Sequence, residues 1–351
     1  MNKMIILIGN KLSSRGLNPT SIEKLSKDLE ASYNIKSASD KKNYISRMLD
    51  IIKLIINNRK VCELIIVDVF STRAFYFSAL TLLISKFLNI KIIPVFRGGS
   101  LPERFDKNPY LFRFIFQRSQ LIICPSSYLA DFFNKKNFNC KIIHNYIDIR
   151  DYPFKIRGKI APKLFWVRAI HSIYNPIMAI QVLNETLKFA PQAELCMVGP
   201  FKDNTIFKLK KLILSYNLDD KVKITGKLSK SEWIKLSMEY DIFINTTNFD
   251  NQPVSVIEAM ALGLPVVSTN VGGIPDLLIN NKTAKLVEKN NVDQMVTAIK
   301  EYLLNNTISK IVSANARELV ELSFDQTMVI AQWLDIIREF ITSKAVIKKN
   351  K

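Results

Sequence analysis

One acidic residue stands out in the stretch 249–278, which reads FDNQPVSVIEAMALGLPVVSTNVGGIPDLL. Between Asn251 and Pro275, Glu258 is the single ionisable side chain, and most of its neighbours are of core type. A carboxylate in such surroundings is costly unless it is paired. Backbone donors or an internal ion pair could satisfy it, but the scarcity of polar neighbours favours a ligand. The hydroxyls of a ribose or a hexose would donate the hydrogen bonds that this carboxylate accepts.

The residues around Glu258 suit a site for an anion. Asp250 lies in a loop after a predicted strand, and Pro253 marks the start of a predicted helix, whose free N–H groups would face an anion. Gly263 is predicted to end that helix. The pair Gly272 and Gly273 permits a tight turn after the next strand, and by itself this turn indicates a structural role.

Two further loops carry polar residues after predicted strands. In WVRAIHSIYNP (166–176), Arg168 comes where an apolar strand ends, and arginine makes bidentate contacts with phosphate. His171, one of only two histidines, is more often a hydrogen-bonded structural residue than a catalyst in such a position. The loop GNKLSSRGLNPTS (9–21) could wrap phosphate oxygens ahead of a helix. It matches neither of the established glycine-rich phosphate motifs, so a plain loop explains it equally well.

Short apolar runs alternate with helical patterns along the chain, which predicts parallel sheets covered on both faces. The alternation begins again at KLFWVR (163–168), after the charged, proline-containing segment IRDYPFKIRGKIAPK (149–163). We therefore predict two doubly wound, Rossmann-like domains of α/β class. The predicted ranges are 1–150 for the first domain, 151–325 for the second, 326–342 for a helix returning to the first, and 343–351 for a basic tail.

Positive charge dominates the composition. The formal net charge is +19, with 24 basic and 12 acidic residues in 1–153 against 26 and 19 in 154–351. Such an excess suits an anionic partner: a nucleic acid, an anionic membrane surface or a phosphorylated substrate. A general bias towards lysine explains it equally well. Nucleic acid is disfavoured because no basic motif with interleaved aromatic residues is present.

The hydropathy pattern contains no apolar run long enough for a transmembrane helix. The best candidate, Phe75–Ile93, is interrupted by polar residues and is predicted to be a helix followed by a strand. Met4–Ile8 is too short for the apolar part of a signal peptide and is predicted to be the first strand. The cysteines show no paired spacing and are predicted to be reduced core thiols of a cytoplasmic protein: Cys62, Cys124, Cys140 and Cys196.

The second half of the chain resembles the family 4 glycosyltransferases of GT-B fold. The motif that carries the resemblance is an acid at 250, a loop with proline, a second acid at 258, and the pattern EAMA-G-PVV-T--GG-P-. The segments that precede this motif in the family are resembled by KITGKLSKSEWIKLSMEYDIFINTT and AELCMVGP. The hinge between the two domains of the family is resembled by IIHNYID (142–148). The likeness covers about residues 140–340 and is faint before them.

The resemblance implies two Rossmann-like domains facing each other across a cleft and retaining transfer of a sugar from a UDP- or GDP-sugar, without a metal or other cofactor. It implies catalytic roles for Arg168, Asp250 and Glu258. Arg168 would stabilise the charge on the leaving diphosphate, Asp250 would contact hydroxyls of the donor sugar, and Glu258 would bind the ribose hydroxyls. The donor-binding residues that it implies are Gly16, Gly199, Lys227, Gln252, Pro253, Val254, Ser255 and Glu258. On the acceptor side the nearest candidates are Arg97, Gly98 and Ser71.

The sequence departs from the family pattern at three places. The usual lysine about six positions after the arginine is absent, and Tyr174 and Asn175 occupy that region, so that Lys227 or Lys11 would have to supply the charge. The first acid is aspartate rather than the longer glutamate. The histidines of the family's first domain have no match, and Arg97 is the nearest polar replacement.

The favoured function is a glycosyltransferase acting on a glycan or lipid-linked acceptor in cell-surface polysaccharide or glycolipid synthesis. We expect a cytoplasmic protein, with attachment to the inner face of a membrane left open. One alternative is a non-catalytic GT-B protein that binds a nucleotide sugar or an anionic membrane surface. A nucleotide-sugar epimerase is disfavoured because the first domain offers no other acid/base candidates.

Overall fold

The structure, a computed structural model, describes residues 3–15 and 19–342. The chain forms two compact units, Met1–Asn145 with Thr327–Lys351 and Tyr146–Gln326. Each unit contains one six-stranded sheet, and all strand pairs within the two sheets are parallel. The predicted fold class, two doubly wound α/β domains, is confirmed.

The first sheet has the strand order β2-β1-β3-β4-β5-β6. Its strands are β1 (Met4–Ile8), β2 (Asn34–Ala38), β3 (Cys62–Val69), β4 (Lys91–Phe96), β5 (Ile122–Cys124) and β6 (Cys140–Ile142). The helices of this unit up to its last strand are α1 (Ser21–Leu29), α2 (Tyr44–Asn58), α3 (Phe75–Phe87), α4 (Leu101–Lys107), α5 (Pro109–Phe116) and α6 (Ser127–Asn134).

The second sheet has the strand order β12-β11-β10-β7-β8-β9. Its strands are β7 (Lys163–Val167), β8 (Glu194–Val198), β9 (Val222–Gly226), β10 (Ile242–Asn245), β11 (Val266–Thr269) and β12 (Lys285–Val287). The remaining helices are α7 (Pro176–Leu187), α8 (Thr205–Ser215), α9 (Lys230–Ser237), α10 (Val254–Ala261), α11 (Ile274–Leu277), α12 (Val292–Leu304), α13 (Asn306–Ser323) and α14 (Gln326–Thr342). All of α14 except Gln326 belongs to the first unit.

The hydrophobic cores lie between the sheets and the helices that cover them. One cluster of the first unit joins β3 and β4 to α2, α3, α5 and α6, with Phe96 and Phe112 among its fully buried rings. Two clusters of the second unit involve opposite groups of helices, one around α7, α8 and α12 and the other around α9, α10 and α13. Burial on both faces explains why these strands have no polar alternation.

The start of α1 is fixed by a local cap. The helix begins at Ser21, because Thr20 and Glu23 form a capping box in which the Glu23 carboxylate accepts the Thr20 N–H at 2.8 Å. None of the helices in the described part of the chain is long and apolar enough to cross a membrane. All four cysteines are free thiols, and three of them are buried.

Candidate functional site

The strand order of the second sheet reverses between β7 and β10, which are neighbours although two strands separate them in sequence. In doubly wound sheets, ligands bind beyond the carboxyl ends of the strands at such a reversal. Arg168 directly follows β7, and Asp250 lies in the loop that follows β10. The topology therefore brings these two predicted site residues together at the expected position.

Arg168 and Asp250 form an ion pair between the guanidinium Nη2 and the carboxylate Oδ2, and their side chains are only 16% and 15% exposed. Burial raises the pKa of Asp250, against the lowering effects of Arg168 and of the N–H groups of Asn251 and Gln252. The Arg168 guanidinium also lies 4.9 Å from the ring centroid of Tyr174. Nε of Arg168 is buried without a hydrogen-bond partner among the described residues. The arginine therefore retains a donor for a ligand.

Glu258 is buried, as predicted, but the expectation that its partner would come only from a ligand is wrong. The Tyr152 hydroxyl donates to Glu258 Oε1 at 2.7 Å, and Lys230 Nζ lies 2.9 Å from the same oxygen. Burial raises the pKa of Tyr152, and the neighbouring carboxylate raises it further, so the phenol remains a donor. Because both contacts end on Oε1, the second oxygen, Oε2, is the one left for a ligand.

An open pocket of about 680 Å³ lies beside this cluster. Its volume falls in the range typical of small-molecule sites. Lys230 contributes to both the pocket and the ion pair with Glu258. The lining residues are Asp151, Pro153, Lys230, Ser231, Ile234, Lys235 and Met238. Glu258 is not among the lining residues, so Lys230 is what connects the pocket to the acid.

Two glycines hold the loops of the site close together. Gly199 follows β8 with φ +151°, and a Cβ there would overlap the carbonyl oxygen of Arg168. Gly272 has φ +56°, and a Cβ there would overlap the carbonyl oxygen of Asp250, which also accepts the N–H of Gly273 at 3.0 Å. The Gly-Gly turn therefore fixes the backbone of the loop that carries Asp250.

The start of α10 gathers four of the predicted donor-binding residues. Gln252 and Pro253 are buried directly before the helix, and Val254 is its first residue. The hydroxyl of Ser255 is buried and has no hydrogen-bond partner in the part of the chain that the structure describes. Lys227 follows β9, whose last residue, Gly226, accepts the N–H of Gly199 at 2.8 Å.

The acceptor-side candidates lie at the carboxyl ends of β3 and β4 in the first unit. Arg97 donates to Asp68 Oδ1 at 3.0 Å and to Asn145 Oδ1 at 2.7 Å. A Cβ on Gly98 would overlap the backbone nitrogen of Ser71, so these two residues touch through their backbones. The structure therefore brings Arg97, Gly98 and Ser71 together, with the arginine engaged in an internal ion pair.

The loop after β1 is organised by an acid that sequence reasoning did not single out. Gly16, a predicted donor contact, lies outside the described residues. The carboxylate of Glu23 on α1 accepts the N–H groups of Leu12 and Ser13 at 3.1 Å each, in addition to that of Thr20. In the structure these N–H groups therefore donate to the Glu23 carboxylate and not to a phosphate.

Glu23 should make stability depend on pH. Burial opposes ionisation, but hydrogen bonds from Ser13, Thr20 and Leu12 prevail and lower its pKa from 4.5 to about 2. A depressed folded-state pKa stabilises the fold above pH 4.5, and this contribution is lost as the pH falls towards 2. Glu23→Gln should therefore lower the urea midpoint at pH 7, and the difference from wild type should vanish near pH 2. Glu30→Gln, at the exposed end of the same helix, is the control; an unchanged midpoint for Glu23→Gln would contradict this role.

His171 has a structural environment. Its Nδ1 accepts the N–H of Ile173 at 3.1 Å, and its Nε2 lies 3.8 Å from Asp203. Within the described residues, no group of three or more His, Cys, Asp or Glu side chains could hold a metal ion. The charged side chains that the structure pairs at this site are Arg168 with Asp250 and Lys230 with Glu258.

Comparison with known proteins agrees with this geometry. Residues 157–319 match the family described as glycosyl transferases group 1. The matched range lies inside the second unit and contains Arg168, Asp250 and Glu258. The second unit is a group 1 glycosyltransferase domain.

A relative of this glycosyltransferase domain is a Salmonella typhimurium protein named as a colanic acid biosynthesis glycosyltransferase, WcaL. It is 30% identical over 149 residues, which make up 40% of this chain and 36% of the relative. The alignment therefore spans little more than a third of that protein's length.

Solved structures extend the likeness of fold to both units. Sucrose-phosphate synthase from Thermosynechococcus elongatus superposes with a TM-score of 0.82 at 14% identity, over 97% of this chain and all of the other. Anabaena HepE, solved in complex with UDP, gives a TM-score of 0.75 at 15% identity, over 96% of this chain and all of the other. At such identities the likeness concerns the fold alone, which is GT-B.

Two residues of the glycosyltransferase domain were missed by sequence reasoning, Tyr152 and Lys230. Tyr152 lies in the charged segment 149–163 that precedes the second run of predicted strands, and Lys230 is the first residue of α9. The missing family lysine had been assigned to Lys227 or Lys11, whereas the lysine observed at a site acid is Lys230. No local pattern links either residue to Glu258, because the contacts join distant parts of the chain.

Proposed function

We propose that the protein is a retaining glycosyltransferase that moves a sugar from a nucleotide-sugar donor to a glycan or lipid-linked acceptor, in the synthesis of a cell-surface polysaccharide or glycolipid. The observation that carries this proposal is the buried cluster at the β7–β10 reversal. It combines a paired arginine and aspartate with two buried polar atoms, Arg168 Nε and Ser255 Oγ, that lack partners among the described residues. Buried polar atoms without partners call for a ligand.

The nucleoside part of the donor is assigned to Glu258. Its Oε2 would accept the ribose hydroxyls, while Tyr152 and Lys230 hold Oε1 at 2.7 and 2.9 Å. The base would then enter the adjoining 680 Å³ pocket beside Lys230. This placement uses the carboxylate for hydroxyl groups and leaves the phosphates for the cationic side of the site.

The diphosphate and the sugar are assigned to residues at the β7–β10 reversal. Nε of Arg168, the hydroxyl of Ser255 and the N-terminus of α10 would bind the diphosphate, which places a positive charge where the leaving group becomes negative. As the bond from sugar carbon to phosphate oxygen breaks, the acceptor oxygen bonds to that carbon and its proton passes to the departing diphosphate. Asp250 would contact the sugar hydroxyls. The UDP bound to HepE supports a nucleotide as part of the donor, and the name of WcaL, which refers to colanic acid biosynthesis, supports a role in polysaccharide synthesis.

The acceptor is assigned to the first unit, near Arg97, Gly98 and Ser71. Arg97 is held by Asp68 and Asn145, so its exposed atoms would present a positioned cation rather than a mobile one. We further propose that a lipid-linked acceptor would be met at an anionic membrane surface, in line with the positive charge of the chain.

Thermal unfolding of the full chain with UDP, GDP and their sugars tests the proposal, since a ligand that binds only the folded state stabilises it by mass action. One nucleotide series should raise the unfolding temperature, and the matching nucleotide sugar should be consumed when acceptor is supplied. ATP at equal concentration is the control. A shift without any turnover would favour the non-catalytic alternative, and the absence of any nucleotide-specific shift would contradict both.

A further inference from the structure

The outer side of α2 carries an apolar stripe that faces solvent. Ile45, Leu49 and Ile56 are spaced to lie on one face of the helix, and all are exposed, Ile45 by 67%. Another side of the same helix, about 120° around its axis, buries Ile51 and Ile55 in the core of the first unit. One apolar face therefore satisfies the fold, and the second has no role in it.

The two neighbouring helices continue this surface. On α3, Tyr76, Leu83 and Phe87 face solvent, and on α5, Tyr110 and Phe114 do so; Phe87 and Tyr110 are 89% and 87% exposed. These residues and the stripe on α2 are called the apolar face below. Exposed aromatic residues in such numbers mark an interaction surface rather than ordinary exposure.

Contacts beneath the surface show that α2, α3 and α5 form one layer. The rings of Tyr44 on α2 and Phe77 on α3 lie 4.5 Å apart, measured between centroids. Phe75 on α3 and Phe112 on α5 lie 5.8 Å apart. The apolar face is thus spread over adjacent helices of one side of the first sheet.

The charge carried by the three helices of the apolar face is almost entirely positive. On these three helices and within two residues of their ends, Asp50 is the single acid, and it accepts the Ser39 hydroxyl at 2.6 Å. The exposed basic side chains in the same segments include Lys42, Lys53, Arg59, Lys60, Lys86 and Arg118. Apolar and aromatic side chains bordered by cations are the composition of helices that lie in the interface of an anionic membrane.

We propose that the apolar face of α2, α3 and α5 docks onto the surface of an anionic lipid bilayer. The aromatic side chains would enter the headgroup region, where tyrosine is favoured, and the basic side chains would pair with lipid phosphates. A second copy of the chain fits less well, because a twofold interface would bring two surfaces bordered by cations together. The docking does not depend on the transfer activity and can be tested without it.

Co-sedimentation of the full chain with vesicles tests the docking. Vesicles of phosphatidylcholine with about one third phosphatidylglycerol should bind the protein, and phosphatidylcholine alone should bind it at least about tenfold more weakly. The variant Phe87→Ser/Tyr110→Ser/Phe114→Ser should lose at least about tenfold in affinity for the anionic vesicles. The matched control replaces three exposed apolar residues of the second unit, Phe207→Ser/Leu214→Ser/Leu304→Ser, and should bind as wild type does.

Two further measurements make the outcome decisive. Far-UV circular dichroism and nucleotide-induced stabilisation should be the same in both triple variants, which separates docking from folding and from donor binding. Equal vesicle affinity of the two variants, or no preference of the wild type for anionic lipid, would overturn the proposal. A concentration-dependent dimer that only the apolar-face variant abolishes would assign the surface to a second copy instead.

Discussion

Arg168→Ala should lower sugar transfer at least about a hundredfold, the scale expected when a positioned charge that stabilises a leaving anion is removed. It should also destabilise the fold by about 3 kcal/mol, because buried Asp250 loses the cation paired with it. Burial already raises the pKa of Asp250, so the lost stability should be partly recovered as the pH falls and the carboxyl binds a proton. Turnover of the nucleotide sugar and urea unfolding at two pH values measure these effects.

The double variant Arg168→Ala/Asp250→Asn separates the two consequences. It removes the unpaired charge and should regain most of the stability, while transfer stays at or below the level of Arg168→Ala, because Asp250 is itself a proposed contact of the sugar. Arg338→Ala, in an exposed ion pair of the first unit with both side chains about two-thirds exposed or more, is the control and should change neither quantity. Full transfer activity in the stable double variant would refute the role of Arg168.

Glu258→Gln should weaken nucleotide binding about 10- to 100-fold, because an amide accepts the ribose hydroxyls less strongly than a carboxylate and disturbs the contacts with Lys230 and Tyr152. The loss should appear in the dissociation constant of the nucleotide that stabilises the wild type, measured by isothermal titration calorimetry.

Two comparisons assign the effect to the ribose. A 2′,3′-dideoxynucleotide should bind wild type and Glu258→Gln with nearly equal affinity, since it lacks both ribose hydroxyls that the carboxylate would bind. Tyr152→Phe keeps the carboxylate and its lysine and should weaken the ribonucleotide less than Glu258→Gln does. If Glu258→Gln weakens both nucleotides equally, the acid is structural and the ribose lies elsewhere.

The sequence was sufficient for the parts of the fold that follow from continuous apolar runs. Strands β7 and β10 are buried on both faces, so their ends were visible where polar residues resume, and Arg168 and Asp250 could be placed at those ends. The strand order that makes them neighbours depends on long-range pairing. The roles of these residues stay predictions, although their proximity is observed.

Other elements were not predicted, for identifiable reasons. The edge strand β2 is half exposed and reads NIKSA, without an apolar run. The helix α2 was not assigned, although its apolar residues recur at helical spacing. The contact between Tyr152 and Glu258 spans 106 residues, and no spacing rule reaches that far. Lys230 was likewise indistinguishable from the many other lysines of this basic chain.

The glycine turn after β11 has a consequence for redesign of donor preference. The carbonyl oxygen of Asp250 is held by the N–H of Gly273, and Gly272 leaves no room for that carbonyl to shift. The main chain at position 250 is therefore set by the turn and not by the aspartate side chain. A library of substitutions at position 250 would therefore vary how far the side chain extends into the proposed sugar site while the backbone position stays the same, provided that both glycines are kept.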